Sequence, residues 1–275
     1  PVDSLERAKG GHSINTHTFL CVSNGFHLFL KFVSSKHAVA APLLGNLLRD
    51  QGIPGPAILK SGTLEEKDIG FILMESVLGT PYSNVDTKPI HLYQVGRLLR
   101  QIHSIKRPGF GQPILDASGQ LFGIKPKWAD RILEPSMFLS DILYLAELEI
   151  LSQNEKKRTL ELLQTLAETC QDSGSLLHGD LNLGNVLYQG DVISGVVDWA
   201  NVQIGPAEYD VAMAINYREN ATALVEGYGS DLNLKELADY QFLISINKAA
   251  WAHKCRPNRF PFYFSKLKAQ PSLCH

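Results

Sequence analysis

The sequence predicts an α+β fold: a strand-rich N-terminal quarter with one inserted helix, then a mainly helical remainder. Three observations carry this. Residues 18–33, "TFLCVSNGFHLFLKFV", hold two apolar runs divided by an Asn-Gly pair that favours a tight hairpin turn. Residues 88–105, "KPIHLYQVGRLLRQIHSI", place Val95, Leu98, Leu99, Ile102 and Ile105 on one helical face. A single short β-like insertion, "LLHGDLNLGNVLY" at 176–188, interrupts the later helical sequence.

In chain order, "KGGHSINTH" is a polar, glycine-bearing loop that enters the first strand of the hairpin. From Ala38 to Gln51, Leu43, Leu44, Leu47 and Leu48 recur at helical spacing, and "GIPGP" stops the helix. "AILKSGTLEEKDIGFILMESV" reads as two more strands joined by a charged turn. After the helix at 88–105, residues 106–127 are rich in Gly and Pro and read as a long loop. Helical stretches are expected at about 128–151 and 155–172, and again from about 207 to 254.

Composition narrows the function. A chain of 275 residues suffices for one large domain or two lobes. A formal net charge of −2 supplies no field to recruit nucleic acid or an anionic membrane, so neither is expected as a partner. No apolar run approaches the roughly 18 residues of a membrane span, and no signal peptide is evident, which predicts a cytoplasmic protein. The four cysteines lie far apart without a CxxC pair, and are read as reduced and unpaired. None of the nine histidines falls in an HExxH or Cys/His cluster, so zinc is not expected.

The chemistry concentrates in two stretches. "HGDLNLGN" offers Asp180 and Asn185, and "VISGVVDWANV" ends its apolar run at Asp198. Phosphoryl transfer needs a carboxylate to orient a nucleophilic hydroxyl and take its proton. It also needs hard oxygen donors for the cations that neutralise a triphosphate. A loop followed by a hairpin brings two acids and an amide to one edge. Each alone has a plain structural reading, since an Asp at a strand end is commonly a turn or cap residue.

Together, "HGDLNLGNVL" and "VVDWANVQIGPAEYDVA" resemble the signature of the aminoglycoside phosphotransferase and choline kinase-like family, relatives of the protein kinases. The resemblance extends to "GGHSINTHTFLCVSNGFHLFLKF", similar to the family's phosphate loop, hairpin and Lys-bearing strand, and to "FILMESVLG", similar to its hinge. It implies a two-lobed, protein-kinase-like fold. Residues 1–77 would be a small antiparallel-sheet nucleotide lobe, and 78–275 a larger, mainly helical catalytic and acceptor lobe. It implies ATP and Mg²⁺ as cofactors, with Asp180 as catalytic base and Asn185 and Asp198 as metal ligands. Lys31 would hold the α- and β-phosphates. Gly11, Ser13 and Asn15 would lie in the loop over the phosphates, and Glu75 to Val77 would present backbone groups to adenine. His178 is read as scaffolding, Asp210 as a brace for the catalytic loop, and Trp199 as packing beside the metal loop.

One departure stands out. The family's helix after the Lys strand supplies a Glu that pairs with the Lys, but between Ser34 and Gln51 the only acid is Asp50. Ala41 and Leu43 stand where that Glu is expected. Either another group holds Lys31 or the local correspondence is shifted.

The acceptor is expected to be a small molecule bearing a hydroxyl. Beyond Asp239 the sequence has no acid, yet it has Lys248, Lys254, Arg256, Arg259, Lys266 and Lys268. That balance disfavours a polycationic aminoglycoside against a sugar, amino alcohol or amino acid. Antibiotic O-phosphotransferase is the alternative, and a catalytically weak nucleotide-binding scaffold is a second. Nothing in the sequence sets the oligomeric state.

Overall fold

Strands β1 (Ser4–Arg7), β2 (Thr18–Ser23), β3 (Phe26–Val33), β4 (Ile58–Leu64) and β5 (Ile69–Glu75) form an antiparallel sheet in the order β1-β2-β3-β5-β4. They belong to a computed structural model that describes residues 2–8, 17–64, 68–82, 88–169, 173–216 and 221–270. Asn24 and Gly25 turn the β2–β3 hairpin with φ of 50° and 78°, the left-handed pair that matches strand twist. Strand β1 was not foreseen. Its four residues, "SLER", are all exposed, so it joins the sheet edge by backbone pairing without an apolar face to announce it.

Helix α1 (Ser35–Asp50) starts earlier than its leucines suggest, because the Ser34 side chain accepts from the His37 amide at 3.4 Å and caps it. The helix serves two cores. Ala38 and Ala41 pack against Ile72 of β5, while Ala40, Leu44 and Leu48 enter the large core of the C-terminal region. Packing on both sides carries α1 through Pro42, which in an isolated helix interior costs about 3 kcal/mol.

The remainder comprises α2 (Pro89–His103), α3 (Ala129–Ile132), α4 (Ser140–Glu147), α5 (Gln153–Ala167), α6 (Ala207–Ile215), α7 (Ala221–Tyr228), α8 (Leu234–Cys255) and α9 (Phe260–Lys268). Short strands run between them: β6 (Thr80–Pro81), β7 (Lys106–Arg107), β8 (Phe110–Leu115), β9 (Leu121–Lys125), β10 (Gly174–Leu177), β11 (Val186–Gln189), β12 (Val192–Val196) and β13 (Gln203–Gly205). They make sheets ordered β7-β10-β13-β8-β9 and β12-β11-β6. As the sequence predicts, the fold is α+β, with the antiparallel sheet at the N-terminus and helices dominating afterwards.

Three expectations are corrected. Residues 106–127 are not a loop but carry β7, β8 and β9. The glycines there serve close packing: a Cβ on Gly123 would lie 2.1 Å from the Phe110 nitrogen. The stretch 128–151 is not one helix, since Pro135 opens a wide π turn (Pro135–Leu139) between α3 and α4. Helical structure also continues past residue 254 into α9. Among the described residues no helix is long and apolar enough to cross a membrane.

Candidate active site

Strand β10 is buried along its whole length and leads into His178, Gly179 and Asp180, and Asp180 lines a cleft. Asp210, near the start of α6, fixes that delivery. Its carboxylate accepts from the His178 amide at 2.7 Å and the Gly179 amide at 2.9 Å. Burial alone would raise the Asp210 carboxyl, but the bond from His103 at 3.3 Å and the charges of His103 and His178 hold it below the usual range. His103 is itself seated by the Tyr228 hydroxyl at 3.1 Å. Gly179 has φ +79°, and a Cβ there would fall 1.9 Å from the Asn201 carbonyl oxygen. The His-Gly-Asp turn and the turn after Asp198 therefore rest against one another.

Asn182 caps the one-turn helix Leu183–Asn185 by accepting from the Gly184 amide at 3.0 Å. Asn185 then donates its side-chain NH₂ to the Asp180 carbonyl at 3.1 Å, leaving its amide oxygen with no protein partner among the described residues. The β11–β12 hairpin pairs Val186 with Val196, and the Val197 amide donates to the Asn185 carbonyl at 2.9 Å. Asn185 and Asp198 thus flank the open end of one hairpin. Asp198 has φ 65°, a left-handed conformation that costs a non-glycine residue about 1–3 kcal/mol and clusters at functional sites. Trp199 donates to the Val196 carbonyl at 3.1 Å, with its ring 4.7 Å from His178, and so packs beside this turn. His178, fully buried, bonds the Val197 carbonyl at 2.9 Å, a structural placement.

Lys31 comes from the opposite side, on β3, and pairs directly with Asp198. This answers the missing helix acid: Asp198 is the group that holds Lys31. On α1, His37 lines the same cleft as this pair, and no motif marks it. Burial first, then the Lys31 charge, lowers His37 to about 4 despite the pull of Asp198. It is therefore neutral and contributes no countercharge.

Lys31, His37, Asp180 and Asp198 line a cleft of about 280 Å³ together with Gln112 of β8 and Asn201. Gln112 was missed because it lies in the stretch that reads as loop. A larger hollow, about 410 Å³, runs along α5 beside Lys156 and Gln164, away from every motif residue. Burial pushes the Asp180 carboxyl above the usual carboxylate range, opposed by the charges of Lys248 and His178. Glu75 ends β5 and Val77 follows it, and neither lines this cleft. Gly11, Ser13 and Asn15 lie outside the described residues.

The donor set suits a hard cation. Asp198 and Asn185 offer oxygen only, and among the described residues no three His, Cys, Asp or Glu groups cluster as a softer or all-protein metal site would require. Magnesium is commonly held by one or two protein oxygens, its other positions filled by water and phosphate.

Residues 18–243 match the phosphotransferase enzyme family, APH, and the chain belongs to that family. It is accordingly a small-molecule kinase. Solved structures similar to it include the aminoglycoside phosphotransferase APH(4)-Ia, at 18% identity and TM-score 0.69 over 98% of this chain and 93% of that one. A putative fructosamine-3-kinase from Haemophilus somnus 129PT aligns at 16% identity and TM-score 0.64, over 98% and 92% of the two chains. APH(2")-IIia, solved with GDP and kanamycin, aligns at 13% identity and TM-score 0.68, over 100% and 95%. Among curated proteins none matches this chain.

Proposed function

We propose that the protein transfers the γ-phosphate of ATP, with Mg²⁺, to a hydroxyl of a small cytoplasmic molecule of low positive charge: a sugar, an amino alcohol, an amino acid or a related metabolite. The observation that carries this is the convergence of Asp180, Asp198 and Lys31 on one cleft, with Asn185 bonded behind Asp180. In this reading residues 1–77 form the nucleotide lobe, with a hinge at 75–79, and residues 78–275 the catalytic and acceptor lobe.

Asp180 accepts the proton of the acceptor hydroxyl and orients its oxygen toward the γ-phosphorus. Its raised carboxyl serves this role, since a base works best when its pKa lies nearer the operating pH. Lys31 would hold the nucleotide's phosphates in place of Asp198, and the Asp198 carboxylate with the Asn185 amide oxygen would hold the cation. Magnesium, when bound, neutralises phosphate charge.

Aminoglycosides are the second reading, favoured by the antibiotic-bound structures among the similar folds. The charges argue against it. Asp141 is engaged by Lys254 at 2.7 Å, and Glu134 by Lys125 at 2.6 Å and Arg131 at 2.8 Å. The test is an acceptor panel at fixed ATP and Mg²⁺, scored by kcat/KM, on wild type and Asp180→Asn. Acceptor-dependent turnover should fall about 10²–10⁴-fold in the variant while nucleotide still binds. Near-wild-type turnover would remove Asp180 from the mechanism. Efficient turnover of several aminoglycosides would overturn the choice of acceptor, and nucleotide binding without transfer to any acceptor would leave a scaffold.

A further inference from the structure

The cleft carries polar groups that the motif residues do not account for. Strands β10, β13 and β8 are neighbours, with Leu177 opposite Gln203 and Ile204 opposite Gly111. Asp180 follows β10, Asn201 precedes β13, and Gln112 comes directly after Gly111, so all three leave the same end of this sheet. A Cβ on Gly179 would fall 1.9 Å from the Asn201 carbonyl oxygen, which seats Asn201 against the turn that ends in Asp180. Gln112 sits in a β-bulge. Phe110 pairs with Lys125 but Pro113 with Gly123, so β8 holds one residue more than β9 there, and Gly111 takes φ 77° to allow it. Bulges re-aim a side chain and are over-represented beside active sites.

Gln112, half-buried, and Asn201, exposed, both line the cleft with Asp180. Neither amide side chain has a hydrogen-bond partner among the described residues. Their neighbour Gln203 does, since its side-chain oxygen accepts from Arg131 at 2.8 Å. A primary amide offers two donors and an acceptor oxygen with no net charge. That matches hydroxyls, which donate and accept in turn. In the phosphotransferase reading Lys31 serves the phosphates, Asp198 the cation and Asp180 the reacting hydroxyl. The polar side chains left to line the cleft (Ser34, His37, Gln112 and Asn201) are then all uncharged. A charged group of the acceptor lying among them would lose water and gain no countercharge. We propose that Gln112 and Asn201 read acceptor hydroxyls beside the one that Asp180 engages, so that the substrate is a neutral polyol, a sugar or sugar alcohol with adjacent hydroxyls. This rests on the phosphotransferase reading and selects one class among those it allows.

The experiment uses wild type, Gln112→Met, Gln112→Glu and Asn201→Leu. Glucose, ribose, glycerol and myo-inositol are the neutral polyols. Glucosamine and glucuronate carry the glucose ring with a charge of either sign, and ethanolamine offers a single hydroxyl. Each is read by kcat/KM with ATP and Mg²⁺, and by calorimetric binding to the enzyme loaded with Mg²⁺ and AMP-PNP. The affinity for AMP-PNP itself and the thermal midpoint check that the variants fold. Wild type should prefer a neutral polyol over glucosamine, glucuronate and ethanolamine by about tenfold or more. Gln112→Met and Asn201→Leu should each lower kcat/KM for that polyol about tenfold, chiefly through KM, as hydrogen bonds between neutral groups are lost. Gln112→Glu should move the preference toward glucosamine, which a merely structural role for Gln112 would not do. A wild-type preference for a charged or single-hydroxyl acceptor overturns the proposal, and so does a polyol preference that neither Gln112→Met nor Asn201→Leu weakens. If no compound is phosphorylated the phosphotransferase reading fails by turnover, while calorimetry still decides the role of the two amides. Polyol binding weakened in the variants supports it, and no polyol binding by wild type overturns it.

Discussion

The two sides of the cleft are built to different depths. On the Asp180 side, β10 is buried throughout, and Asp210, His103 and Tyr228 form a chain of bonds inside a core that includes Val95, Leu99, Ile102, Leu176 and Leu177. On the Lys31 side, among the described residues, the sheet β1–β5 rests on a small buried cluster of Ala38, Ala41 and Ile72. The comparison teaches a division of labour. In the proposed mechanism Asp180 is the base, which must be held to a fraction of an ångström, and deep packing does that. Lys31 in that mechanism exchanges Asp198 for phosphates, which requires it to move, and a thin core leaves it the freedom.

The strongest way to break this comparison is Gly179→Ala. The substitution puts a Cβ 1.9 Å from the Asn201 carbonyl oxygen at φ +79°, so both turns have to shift. Backbone strain and the lost Asp210 bonds together exceed the common 0.5–3 kcal/mol of a point change. The expected outcome is loss of acceptor turnover and a thermal midpoint lowered by several degrees. An unchanged midpoint with full activity would mean that the base side is not held as described.

Much of this side was legible in the sequence, because its chemistry is local. Asp180, Asn185 and Asp198 lie within one loop and one hairpin, so spacing along the chain nearly fixes spacing in space. The groups that complete the cleft come from afar. His37 reaches Lys31 through the capping of α1 by Ser34, and Gln112 sits on a strand whose glycines and prolines read as a loop. Edge strand β1 was illegible for a different reason, since four exposed residues carry no periodicity. The partner of Lys31 lies 167 residues away, and only the fold could name it.

Asp198→Ala sharpens the contrast, because it acts on both sides at once. Lys31, 8% exposed, loses its countercharge, and in the proposed reading the cation loses its carboxylate ligand. Nucleotide analogue with Mg²⁺ at a hundred times its Kd should stabilise the wild type by about 2.7 kcal/mol. In the variant the magnesium-dependent part of that stabilisation should vanish in a thermal-shift titration. A magnesium response equal to wild type would remove Asp198 from the metal site.

The smallest expected effect concerns His37 and acid. In the folded protein its imidazole is lowered to about 4, chiefly by burial and next by the Lys31 charge from β3, with Asp198 pulling the other way. In the unfolded chain it titrates at its ordinary value of 6.5. Between these values the unfolded chain binds a proton that the folded protein refuses, so stability falls as pH drops through that window. At pH 5 the loss from this group is about 2 kcal/mol, and above pH 7 it contributes nothing. His37→Gln keeps a polar side chain without the titration. Thermal midpoints of both proteins from pH 7.5 to 4.5 should diverge from a common high-pH offset, the wild type falling faster. Parallel curves would show that His37 takes up its proton in the folded state as readily as in the unfolded chain. In that case the lysine side of the cleft is wetter and looser than its packing implies.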